Sequence, residues 1–224
     1  MRISGVDGVP GGWVVCVLSG TGRAREVSWT VVPDAAAVLV ATAGCDAVGV
    51  DVPLSVPAGA DRREAERLAA ARLGRARSSL FPTPPAAVLG AGSYAEACAA
   101  AQAVTGRRIS LQTWYIVPKI AEFQRVALPA SVVEAHPELT FRTMAPGVAF
   151  ASKKTARGAG QRVAALSGWV AVDGLLGDLP AAARLDDVLD AAACAWTAER
   201  VARGTAELLG PGTDRLGRST AIAV

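Results

Sequence analysis

Histidine occurs once in the 224 residues, at His136, and aromatic residues make up only 5% of the chain. A single histidine cannot build the usual Cys/His zinc site, and Cys16, Cys45, Cys98 and Cys194 are scattered with no Cys-x-x-Cys pair. A disulfide framework is equally out of place in a chain of this length, so the four cysteines read as reduced core residues. No stretch reaches the roughly 18 to 20 uninterrupted apolar residues of a spanning helix, although 51% of the chain is hydrophobic. The apolar content is largely Ala and Val, broken by Gly, Pro, Asp or Arg, which excludes a membrane partner. Asp7 stands where a signal peptide would carry its apolar stretch, so the expected location is the cytoplasm. An excess of one charge is also lacking. With 23 basic and 20 acidic residues the net charge is +3, compatible with a polyanionic partner but short of a strong nucleic-acid stripe.

What is present is alternation between sheet and helix patterns. Ile3–Asp7, Trp13–Leu18 and Glu26–Val32 are short β-rich runs separated by the glycine-rich turns at 8–12 and 20–22, which predicts an antiparallel meander. Pro33-Asp34 opens a helix to about Ala43, and Asp46–Val50 is a buried strand ending at Asp51. Strand, helix and strand predict a right-handed parallel crossover. After Pro53 the pattern turns helical. Asp61–Arg75 is charged, with Arg62, Arg63, Arg67, Arg72, Arg75 and Arg77 close together. A proline-rich loop at Pro82, Pro84 and Pro85 follows, then helical stretches near Ser93–Val104 and Leu111–Arg125. Ser131–Ala135 is strand-like again, Ser152–Leu166 is basic, and a strong helix runs from about Leu185 to Arg203. The expectation is a single α/β domain over 1–224 with a mixed five-stranded sheet flanked by helices. A helical insertion at about 55–129 separates strands four and five.

Carboxylates stand where local structure does not call for them. Asp7 follows the first strand's apolar run and Asp51 the fourth's. Asp187 and Asp190 lie three apart on the last helix, on a shared face. In a sheet ordered 3-2-1-4-5, strands one and four are parallel neighbours. Asp7 and Asp51 would then sit side by side, with the helix acids pointing at the same spot. Four such carboxylates repel one another unless a cation is present, and hard oxygen donors suit Mg²⁺ or Mn²⁺. Two ions there would support phosphodiester cleavage. The bland reading of each acid is a turn former or a helix cap, Asp186 and Asp187 being placed to cap their own helix.

The motifs Gly5-Val6-Asp7-Gly8 with Gly11-Gly12-Trp13, Asp51-Val52-Pro53-Leu54 and Arg77-Ser78-Ser79-Leu80-Phe81 resemble the family catalogued as domain of unknown function 429 (DUF429). So do Gln112-Thr113-Trp114 with Pro118-Lys119-Ile120, Glu134-Ala135-His136-Pro137-Glu138, Ser152-Lys153-Lys154-Thr155 and Asp186-Asp187-Val188-Leu189-Asp190-Ala191. The resemblance covers about residues 3 to 205. It implies a ribonuclease H-like fold and a nuclease activity, with Asp7, Asp51 and Asp187/Asp190 in the places of the acidic tetrad of the resolvase RuvC. The second acid of that tetrad is Glu, whereas Asp51 is shorter by a methylene.

On that reading Glu134 is an extra ligand or a supporting acid. His136 is either a general base or product-release group, or a structural residue at a strand-to-helix turn. Lys153, Lys154, Arg157, Arg162 and Arg77 would contact phosphate, as would Lys119, Ser78 and Ser79. Each also reads as a solvated basic face or a turn cap. Trp114 either stacks on a base or packs in a core, while Trp13, Trp29, Trp169 and Trp196 are assigned to packing. The expected partner is nucleic acid or a small phosphorylated or nucleotide substrate, and the resemblance leaves a homodimer open. The alternatives are a phosphotransferase or ATPase of the actin-like type, and a non-catalytic nucleotide- or nucleic-acid-binding protein on the same fold.

Overall fold

The structure is a computed structural model describing residues 1–224. β1 (Arg2–Val9), β2 (Gly12–Ser19) and β3 (Glu26–Val32) form the expected antiparallel meander. The β1–β2 turn is two residues long, and Gly11 takes φ 76°, a conformation that costs a side-chain-bearing residue steric strain. α1 (Ala35–Ala41) starts at Asp34, whose side chain accepts from the Ala37 amide at 2.8 Å. β4 (Ala47–Val50) then pairs in parallel with β1. The chain continues through α2 (Glu64–Leu73), α3 (Tyr94–Thr105) and α4 (Leu111–Gln124) to β5 (Val132–Ala135), which lies parallel to β4. α5 (Pro137–Met144), α6 (Ala156–Ser167), α7 (Val172–Leu176) and α8 (Leu185–Ala202) follow, then the short strands β6 (Leu208–Leu209) and β7 (Ile222–Ala223).

The strand order is β3-β2-β1-β4-β5-β7-β6, seven strands where five were expected, with the predicted 3-2-1-4-5 order intact. The two added strands are two residues each, too short for an alternation pattern to reveal. α5 was also unforeseen, although Pro137 at its first turn with Glu138 beside it is a helix-start signal. No helix is long and apolar enough to cross a membrane.

The chain divides into two compact units. The first comprises Met1–Asp51, Pro129–Glu207 and Ala223–Val224; the second comprises Val52–Leu128 and Leu208–Ile222. The second unit thus joins the segment between β4 and β5 to a segment close to the C-terminus. Within the second unit that segment is tied to the helices by buried guanidinium groups. Arg63 donates to the Thr220 carbonyl at 3.0 Å, and Arg218 donates to the carbonyls of Gln124 and Val126 at 3.0 and 3.1 Å. A small core of Val88, Ala97, Ala101 and Val117, with Trp114 packed against it, fills the same unit.

In the first unit the core lies between the sheet and α8. The buried face of α8 is small, with Ala191, Ala192, Ala195 and Ala198 all inaccessible, and it meets Gly5 on β1 and Gly49 on β4. A Cβ on Gly5 would lie 1.9 Å from the Ala191 carbonyl oxygen, and one on Gly49 would lie 2.3 Å from that of Cys194. Both contacts are backbone, which cannot swing away, so these glycines set the helix-to-sheet distance. Trp13 is fully buried, Trp29 donates its indole N–H to the Leu175 carbonyl at 2.9 Å, and Trp169 hydrogen-bonds Glu199. Trp196 packs under the Arg200 guanidinium at 4.9 Å, so all four serve packing as expected.

Gly5→Ala and Gly49→Ala are each expected to destabilise the protein by about 3 kcal/mol or more. Gly160→Ala, in α6 with open space around its Cβ position, is expected to stabilise by about 0.5–1 kcal/mol. Urea midpoints followed by circular dichroism check both; a loss at Gly5 no larger than at a surface site would contradict the packing argument.

Candidate metal centre

Val6 of β1 is in register with Val50 of β4, and the Asp51 amide donates to the Val6 carbonyl at 3.0 Å. The next residue on each strand is the acid, so parallel pairing itself sets Asp7 and Asp51 side by side. Asp7 is 9% exposed, and its carboxylate accepts from the Gly8 amide at 2.7 Å. The third acid, Asp190, is 2% exposed on α8, next to the Ala191 carbonyl that abuts Gly5. One carboxylate oxygen from each of Asp7, Asp51 and Asp190 falls within 4.8 Å of the others.

Crowding three carboxyls in a water-poor place shifts their titration. Burial, then the charges of Asp51 and Asp190, push the Asp7 carboxyl well above the ordinary carboxylate range. Burial and the Asp190 charge push Asp51 up to about 8. Burial raises Asp190 to about 6, with the Lys153 ammonium pulling the other way. Lys153 reaches in from the loop before α6 and ion-pairs with Asp190. Burial works against its charge, but Asp190, then Asp7 and Asp51, outweigh that and hold its proton firmly. The Cys194 thiol on α8 is buried and is driven well up first by that burial and then by the three acids, which disfavours its thiolate.

The donor set fits a hard divalent cation. Asp7, Asp51 and Asp190 present oxygen atoms close enough to share one, and their mutual repulsion marks a site with less positive charge than its carboxylates call for.

Not every expected ligand joins them. Asp187 accepts from the Arg184 amide at 3.1 Å and closes a capping box at the start of α8, so it serves the helix terminus instead of the acid cluster. Its place at the third residue of the helix was the signal for that role. Glu134, 6% exposed, stands on β5 in register with Val50, outside the group of three, and its charge raises Asp51. His136 occupies the N-cap position of α5, its carbonyl accepting from the Leu139 and Thr140 amides. Glu138 is bound by Arg162, which is 2% exposed and lies 5.4 Å from the centre of the Phe141 ring and 5.3 Å from that of Phe150. Arg162 is thus a buried structural cation, and the expectation that it meets phosphate is corrected.

Lys154 pairs with Asp186 at 2.5 Å, so both lysines of the Ser152–Thr155 motif face acids of α8 where phosphate contacts were expected. Sequence reasoning missed these pairings. The available signal was spacing, since Asp186 and Asp190 are one helical turn apart and can both meet one short segment. Arg157 is exposed on α6. Arg77, Ser78, Ser79 and Lys119 belong to the second unit. The first three lie in a 3₁₀ turn, Gly74–Ser79, where the Ser79 hydroxyl donates to the Ala76 carbonyl at 2.8 Å, and Lys119 is on α4.

In the unfolded chain these carboxyls titrate near 3.8, so between that value and about 8 the folded protein holds protons that the unfolded chain has released. Stability of the ion-free protein is therefore expected to fall as pH rises from about 5.5 to about 8, and Asp51→Asn to flatten that slope. Urea denaturation in chelator across this window checks it; stability that rises with pH would contradict it. Asp187→Ala is expected to cost about 1 kcal/mol through the lost cap and to leave Mn²⁺ affinity unchanged, whereas Asp190→Asn removes Mn²⁺ binding. Equal loss of Mn²⁺ in both, read by calorimetry, would return Asp187 to the centre.

A comparison with curated proteins and one with solved structures each gave no match. The sequence model of a family described as proteins of unknown function (DUF429) matches residues 5–215, and the chain belongs to that family.

Proposed function

We propose that this protein is a divalent-metal-dependent hydrolase of phosphodiester bonds, a nuclease on a ribonuclease H-like sheet. One observation carries the reading: Asp7, Asp51 and Asp190 converge within 4.8 Å from two neighbouring parallel strands and a helix packed across them. The strand order β3-β2-β1-β4-β5 supports the fold assignment.

Asp7 and Asp51 would hold a Mg²⁺ or Mn²⁺ between adjacent strands, and Asp190 would complete its carboxylate set. Such an ion would lower the pKa of a water molecule and offset charge on phosphoryl oxygens. The chain contributes a rigid frame: Asp7 is steadied by the Gly8 amide, Asp51 by its backbone bond to Val6, and Asp190 by a helix that cannot move closer to the sheet. Burial removes competing water from the carboxylates, which strengthens their hold on a cation. The actin-like alternative calls for a second copy of the β-meander, and the second unit is built chiefly from α2, α3 and α4, which does not favour it.

Calorimetric titration with Mn²⁺ of wild type and Asp7→Asn, with labelled single strand, duplex, hybrid and junction substrates incubated alongside, tests the proposal. Wild type is expected to bind Mn²⁺ and to cleave at least one substrate. Asp7→Asn is expected to lose the ion and more than about 100-fold of the rate. Absence of binding at millimolar ion overturns the reading. Binding with no cleavage of any nucleic acid overturns the nuclease assignment in favour of a small phosphorylated substrate.

A further inference from the structure

Three carboxylates converge in this centre, and one cation is already seated among them, the ammonium of Lys153 on Asp190. That side chain is held from both ends. Its stem leaves the loop that immediately precedes α6, where Thr155 caps the helix by accepting from the Gly158 amide at 3.1 Å. The adjacent Lys154 is paired with Asp186 at 2.5 Å, one turn before Asp190 on α8. Two consecutive lysines thus fasten the loop to two acids on the same face of one helix. The loop is fixed further by Gly158, where an added Cβ would lie 2.1 Å from the Ser152 carbonyl oxygen. Lys153 is partly exposed along its side chain, while the Asp190 carboxylate that it meets is buried.

We propose that Lys153 is the second cation of the centre, so that the protein binds one divalent ion per chain and not the two that a RuvC-like site implies. This rests on the reading that the three carboxylates take a divalent ion. Charge decides the count. One divalent ion and one ammonium supply three positive charges, which match Asp7, Asp51 and Asp190. Two divalent ions beside the ammonium overcharge the same set by two, an unfavourable balance in a place with little water.

Of the other acids, Asp187 caps α8 and Glu138 is bound by Arg162, so a second ion would have to draw on Glu134. Glu134 stands nearby on β5. Even with its charge added, two ions reach balance only if the Lys153 ammonium leaves Asp190. At the reacting phosphate the ammonium would sit where it can offset charge developing on an oxygen, as a fixed donor needing no reorganisation.

Counting bound Mn²⁺ from the loss of the free-ion paramagnetic signal tests this without reference to activity. Wild type and Lys153→Arg, which keep the cation, are expected to bind one ion per chain. Lys153→Met, which keeps the stem and loses the charge, is expected to bind two. Two ions in wild type overturn the proposal, as does any count other than two in a folded Lys153→Met. One ion bound more tightly in that variant identifies the ammonium as a placeholder that the metal expels.

No binding in wild type fails the metal reading itself, and this assignment with it. A second measurement needs no variant. Acetylation of Lys153, followed by mass spectrometry against Lys154, is expected to be no faster with Mn²⁺ bound than without it. A rate that rises on adding the ion means that Lys153 leaves the centre, and overturns the proposal.

Discussion

The contact between the backbone of α8 and the glycines Gly5 and Gly49 sets the position of everything else in the first unit. Alanine at 191, 195 and 198 lets the helix settle onto β1 and β4, and the absence of a Cβ on the sheet side lets it come closer still. At that distance the residue just before Ala191, Asp190, reaches the place where Asp7 and Asp51 follow the registered pair Val6 and Val50. A larger residue on either surface would lift the helix and part the acids. Packing and chemistry therefore share one interface, and the small residues serve both.

The carboxylates carry a cost that the rest of the neighbourhood is arranged around. Three acids within 4.8 Å, pushed up by burial and by one another, are a poor way to stabilise a fold, since hydrophobic residues of the same volume would pack without repulsion. The other charges nearby are dealt with more cheaply. Glu138 has Arg162, Asp186 has Lys154, and at the far end of α8 Glu199 takes Arg25 and Arg203. Against that background the three acids sharing a single ammonium stand out as the one unbalanced group, and imbalance of that kind is what a bound cation relieves.

Much of this could be read along the chain because it depends on local pattern. The meander follows from β-rich runs divided by glycine turns. β4 follows from an apolar run after a helix of Ala and Val, and α3, α4 and α8 fall within a residue or two of their expected ends. The positions of Asp7 and Asp51 are local too, since Asp7 lies near the end of β1 and Asp51 follows directly on β4. Less was legible where the deciding contact is distant. Arg162 has the sequence context of a surface cation beside Lys153 and Arg157, yet it is buried between two phenylalanine rings and an acid from another helix. β6 and β7 are two residues long and exist only because other strands pair with them.

The amino-acid sequence by itself determined β1 to β5, the turns, the main helices and two of the three convergent acids. These are set by side-chain alternation, by glycine's freedom at turns and by parallel register, all of which act within or between neighbouring segments. Only tertiary structure decided which member of the Asp187/Asp190 pair faces the strands. The two are three residues apart on one helix, and the choice depends on whether a carboxylate lies on the face pressed to the sheet or can fold back to the free amide of Arg184. Tertiary structure likewise gave Lys153 its acid and drew residues 208–222 into the second unit. Ion pairing and burial act between groups far apart in sequence, and nothing in the local pattern encodes the distance at which they meet.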